Sequence, residues 1–121
     1  MPSNAQIIEK VNELVKLCID NNYWDSNNEE DNKYKVGKSN IRSVASAVQN
    51  AECFEEIKLY IEYKKAKGNG WDVRIGDTTF ADKVIRHLNE LTEDLNEQEK
   101  IKVASKYFGY LYWAIYPHNK N

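Results

Sequence analysis

Apolar residues recur at helical spacing in five stretches of the chain, and the polar interruptions between them carry turn chemistry rather than strand alternation. In the first stretch Ile7, Ile8, Val11, Leu14, Val15 and Cys18 share one side of a helix predicted over 4–21, with Ser3 or Asn4 as its cap. The run NNYWDSNNEEDNK then breaks the pattern, because Asn and Asp compete for backbone hydrogen bonds and favour turns. Tyr23 and Trp24 within it are expected to staple the end of the first helix to the body of the protein.

The series Ile41, Val44, Ala45, Val48 has the i, i+3, i+4, i+7 spacing of a second amphipathic helix, for which Ser39 is the expected cap. A third helix is predicted from about Cys53 to Lys67, with Phe54, Ile57, Tyr60, Ile61 and Lys64 along one side, and it stops at KGNG, where glycine supplies left-handed backbone. Val73 and Ile75 in WDVRIGDTT have brief strand character, but Gly76-Asp77 interrupts it, so the segment reads as an ordered loop. Thr79 or Asp77 opens a fourth helix with Phe80, Val84, Ile85, Leu88 and Leu91 inward. The fifth runs from about Asn96 to Tyr116 with Ile101, Ala104, Phe108, Leu111 and Ile115 inward, ends at Pro117 and leaves HNKN as a frayed tail. The expected fold is all-α: one domain, a bundle of about five helices, with an acidic loop over 22–38 and a glycine-containing loop over 68–78.

Composition agrees with a globular chain: 121 residues, 41% hydrophobic and 30% charged. No apolar run approaches the ~18 residues needed to span a bilayer, and MPSNAQIIEK lacks the basic-then-apolar pattern of a secretory signal. The expectation is a cytoplasmic protein with no membrane partner. Cys18 and Cys53 sit beside apolar helical positions and are read as reduced, inert thiols.

Charge changes the picture more. Residues 1–32 carry two basic side chains against seven acids, residues 33–74 nine against five, and residues 75–121 six against seven. Within the basic block lies Gly37-Lys38-Ser39, the ending of a nucleotide-binding phosphate loop. That loop needs a glycine five places earlier, where this chain has Asn32, and it needs a buried strand before it, where this chain has an acidic polar run. A mononucleotide cradle is therefore not expected. Lys33, Lys35 and Lys38 followed by Arg42 at a helix start suit phosphate oxygens of a longer polyanion, because point charges and free N–H donors converge there, with a plain solvated face as the alternative that composition favours. Lys64, Lys65 and Lys67 crowd the end of helix three, where the helix dipole also favours them.

Catalytic constellations are thin. His87 with Glu90 makes an H-x-x-E without a further ligand, and His87 is expected on the solvent edge of helix four. Pairs such as Glu29-Glu30 and Glu93-Asp94 fall in loops or at helix ends, where solvation accounts for them. The reading is a protein that is not an enzyme, with no cofactor and no metal. In the aromatic terminus KYFGYLYWAIY, either every ring belongs to the core or Tyr110, Trp113 and Tyr116 are left partly exposed as candidate protein-interface residues.

Taken together, GKSNIRSV, LYIEYKKAKG and ASKYFGYLYWAIYPH resemble three short motifs of the small helical subunit of type III-A CRISPR–Cas effector (Csm) complexes. The resemblance spans about 38–118, with Ser39 and Arg42 on the family's hydroxyl and arginine positions, Tyr63 on its tyrosine, and Lys67 near a position where arginine is usual. It implies a non-catalytic subunit that stacks in several copies beside a guide RNA–target RNA duplex, among other effector subunits. Its RNA-binding residues would be Lys38, Arg42, Lys64, Lys65 and Lys67, touching the crRNA and target RNA backbone without reading sequence. The second reading is a protein-binding adaptor or phage-encoded inhibitor that uses the acidic loop or the aromatic C-terminal helix.

Overall fold

The computed structural model describes residues 1–25 and 35–118. The described residues form five helices: α1 (Asn4–Asp20), α2 (Lys38–Gln49), α3 (Phe54–Lys67), α4 (Phe80–Leu91) and α5 (Glu97–Ile115). No strand forms among the described residues; Arg74 and Thr79 make one isolated bridge within the loop before α4. The bundle is all-α, and none of its helices is long and apolar enough to cross a membrane.

Each helix start has an identifiable cause. Ser3 and Gln6 form a reciprocal capping box on α1, and Asn96 and Glu99 form another on α5. The Thr79 hydroxyl accepts the Asp82 N–H at the start of α4. The first N–H of α3, that of Phe54, donates to Glu97 Oε2 at 2.8 Å, so a residue opening α5 satisfies a donor that α3 leaves orphaned. Helix α2 departs from expectation. It begins two residues early at Lys38, so Gly37 in extended backbone occupies the cap and Ser39 falls inside the first turn without capping.

Helix α5 runs through the centre. Its stripe Val103, Ala104, Tyr107, Phe108, Leu111 and Ile115 is fully buried, and α1 and α2 pack along it while α3 and α4 close the other side. Ile8 is exposed and Ile101 half-buried, each one position off the core stripe of its helix. The loop after α3 contributes as much as a helix. Trp71 is its largest fully buried side chain, edge-on to Phe80 at 5.3 Å, and Ile75 is buried beside them.

Tyr23 is the clamp at the end of α1: its hydroxyl donates to Gly70 O at 2.7 Å and accepts the Val36 N–H at 3.0 Å. Trp24 Nε1–H donates to Val36 O, so the expected stapling pair ties three segments at once. His118, assigned to the frayed tail, stacks on Trp24 at 5.8 Å, and residues 119–121 lie outside the described residues. Cys18 is buried and its thiol is pushed up by desolvation, which keeps it protonated and unreactive; Cys53 is half-buried, and both are free.

His87 corrects the sequence reading. It is 0% exposed, because α4 turns it inward with Val84, Leu88 and Leu91, onto α5 and α1 rather than toward solvent. Its Nδ1 lies 2.9 Å from the Tyr107 hydroxyl. Nε2 lies 3.5 Å from Glu13 Oε1 without making a hydrogen bond, while Lys83 holds that carboxylate at 3.0 Å. Burial lowers the His87 pKa below the ordinary 6.5, against the pull of Glu13. A depressed histidine leaves the folded state with fewer protons than the unfolded state once the pH drops below 6.5, so stability is lost as pH falls through that window. We expect the urea-unfolding free energy to decline there by up to about 1.4 kcal/mol per pH unit, and His87→Leu to flatten the decline; an unchanged slope in the variant would exclude His87 as its source.

Candidate binding surface

Two flanks of α2 matter for function, and they differ in what faces them. Lys38 and Arg42 are four residues apart and share the flank turned toward the C-terminal half of α5. Lys38 Nζ sits 4.1 Å from the centre of the Tyr116 ring, and the Arg42 guanidinium 5.8 Å from that of Tyr112. The two rings are themselves edge-to-face at 6.0 Å. Cations laid on aromatic faces in this way are held close to the surface at a gain of about 0.5–1 kcal/mol each when exposed.

Beyond Tyr112 the same surface opens into a groove of about 250 Å³ between Arg42, Lys106, Tyr110 and Trp113. Trp113 is 71% exposed and its ring lies 5.9 Å from that of Tyr110. Gly109 lines the groove, and a side chain at that position would meet nothing within 4 Å. Glycine inside a helix costs about 1 kcal/mol against alanine, and no contact within the described fold requires it; what its absence of side chain does is keep the groove floor bare.

Among the described residues, the charge on this surface is uncompensated. Lys38 and Arg42 have no carboxylate partner among the described residues, and Lys106 donates only to Asn4 Oδ1 at 2.9 Å. Lys10, Lys16, Lys58, Lys65 and Lys83, by contrast, all lie in ion pairs.

The three remaining lysines named from sequence lie elsewhere. Lys65 is engaged with Asp82 at the start of α4, at 3.0 Å. Lys64 and Lys67 lie over Tyr60 and Tyr63 of their own helix, 6.0 and 5.4 Å from the ring centres. Those tyrosines line a second, apolar groove of about 590 Å³ on the other flank of α2, where Ala47 and Ala51 face them. Asn40 marks the same divide, since it accepts the Trp71 indole N–H at 3.3 Å on the flank away from Lys38 and Arg42. The five cations therefore form two sets separated by α2, and the first joins the aromatic residues Tyr110, Trp113 and Tyr116 instead of the second lysine set.

Lys106, Gly109 and Tyr112 complete the first surface and were not singled out from sequence. Their signal is the period: Lys106, Gly109, Tyr110 and Trp113 recur at i, i+3, i+4, i+7 on the face of α5 opposite its buried stripe. Lys33 and most of the acidic 25–32 segment lie outside the described residues. No group of three or more His, Cys, Asp or Glu able to hold a metal occurs among the described residues. The chain matches no protein-family model, no curated protein and no solved structure.

If Trp113 is a surface group and not part of the core, its removal should leave folding nearly untouched. Trp113→Ala should shift the unfolding free energy by no more than about 0.5 kcal/mol, whereas Leu111→Ala, two residues away and fully buried, should cost about 2–5 kcal/mol. Chemical denaturation of both variants checks this.

Proposed function

We propose that the protein is a non-catalytic RNA-binding subunit whose α2–α5 surface holds a single-stranded segment by its phosphates and by stacking on exposed aromatic rings. The observation that carries this reading is the pairing of Lys38 and Arg42, which have no carboxylate partner among the described residues, with Tyr116 and Tyr112 beside exposed Trp113. A cationic track lined with aromatic faces suits single strands, because phosphates supply charge and every base offers a π-face. Gly37 leaves the first turn of α2 without a side-chain cap, so N–H groups that have no intrahelical partner are donors near Lys38. In this reading the protein is a small subunit of a crRNA-guided type III effector complex, as its three motifs imply, and chemistry on the RNA belongs to another chain. Lys64 and Lys67 would then form a separate contact, and Lys65 could take part only by leaving Asp82.

A protein-binding adaptor is the second reading, favoured by one observation: exposed Trp113 and adjacent Tyr110 beside Arg42 are the residue types that anchor protein interfaces. The version of it that uses the acidic loop rests on the sequence of a segment that lies mostly outside the described residues.

Salt separates the two. Binding of a fluorescent single-stranded RNA should weaken steeply with added salt, and Arg42→Ala should reduce the salt slope by about one. Trp113→Ala should cost about 1–3 kcal/mol with the slope preserved. An adaptor would give no measurable RNA affinity at low salt, and that result would overturn the proposal.

A further inference from the structure

The second groove, on the far flank of α2, is unused by the RNA reading, and its chemistry is different. Its α3 wall carries Leu59, 68% exposed, and Tyr63, 53% exposed, in one patch with half-buried Tyr60. Exposed apolar residues scattered singly need no explanation, but a contiguous patch bordering an apolar groove marks a contact surface.

Charge along this wall is arranged by position. Glu56 stands at the N-terminal end of the patch, and Lys64 and Lys67 at its C-terminal end. None of the three has an oppositely charged partner among the described residues. An antiparallel copy of the same helix reverses this order. It sets Glu56 of each copy against Lys64 and Lys67 of the other, and Leu59 of each against Tyr63 of the other. The pattern is self-complementary under a two-fold axis near the middle of α3, which is the requirement for an isologous interface. The small residues Ala47 of α2 and Ala51 just after it leave room for the partner's side chains to enter the groove.

We propose that two copies of this chain, free of RNA and of other subunits, associate through the α2–α3 grooves, with their α3 helices antiparallel, into a dimer closed at two. The α2–α5 surface lies on the other flank of α2 and stays open in this pair, so the dimer stands or falls independently of RNA binding.

Sedimentation equilibrium of the full chain over a concentration series tests it, with circular dichroism melts confirming that each variant is folded. The wild type should move from the monomer mass toward twice that mass as concentration rises, and no further. Leu59→Asp should remain monomeric. Glu56→Lys alone, and Lys64→Glu with Lys67→Glu alone, should each remain monomeric because each meets like charge across the axis. An equimolar mixture of these two charge variants should recover the doubled mass, since every contact in the mixed pair is again between opposite charges. A wild type that stays monomeric throughout, one that grows past two, a Leu59→Asp variant that dimerises normally, or a mixture that fails to pair would each overturn the proposal.

Discussion

Helix α5 has more apolar and aromatic surface than one buried stripe can hold, and that constraint organises the molecule. Val103, Ala104, Tyr107, Phe108, Leu111 and Ile115 take the interior. Helices α1 and α2 cover most of them, and α3 and α4 complete the enclosure. Once that stripe is fixed, Trp113 has to point away from it, because its position falls on the opposite arc of a 3.6-residue period, while half-buried Tyr110 packs at the edge of the core. Tyr112 and Tyr116 lie between the two arcs and meet Arg42 and Lys38. The candidate binding surface is thus a consequence of which face of α5 the core claims.

A second constraint sets where α2 points its cations. The Tyr23 hydroxyl bridges Val36 and Gly70, and Trp71 reaches Asn40, so the approach to α2 is tied to the loop that follows α3. These contacts use one flank of the helix start. Lys38 and Arg42, turned roughly half a circle from Asn40, are left to the α5 side. The same loop takes three consecutive residues, Gly68, Asn69 and Gly70, through positive φ, which two glycines and an asparagine tolerate. It is an irregular segment that sends Trp71 and Ile75 into the same core as the helices, with Trp71 edge-on to Phe80 of α4.

The helices were legible in the sequence wherever an apolar period ran for three turns, as with Val11, Leu14 and Cys18 or Val84, Leu88 and Leu91. What periodicity missed depends on tertiary context. Trp71 and Ile75 lie outside any helix, so no period marks them as core. His87 sits on the inward arc of α4, but its polarity argues for the surface unless Tyr107 and Glu13 are known to face it. Ser39 is a good cap by type, and only the actual first residue of α2 shows that Gly37 has the place. In the candidate surface, Arg42 and Trp113 each carried a signal; that Arg42 meets Tyr112 while Lys64 and Lys67 lie across α2 depends on how helices pack, which local sequence does not encode.

The central claim is that the outward arc of α5, with the α2 cations beside it, is a binding surface for single-stranded RNA. The three tryptophans report on it separately: Trp71 is in the core, Trp24 is tied to Val36, and Trp113 stands on the surface. Nuclear magnetic resonance resolves their indole N–H signals, and titration with a short single-stranded RNA is the direct measurement. The account predicts that the Trp113 signal moves while those of Trp24 and Trp71 stay in place. Movement of the other two with Trp113 unchanged, or no movement at low salt, would contradict it.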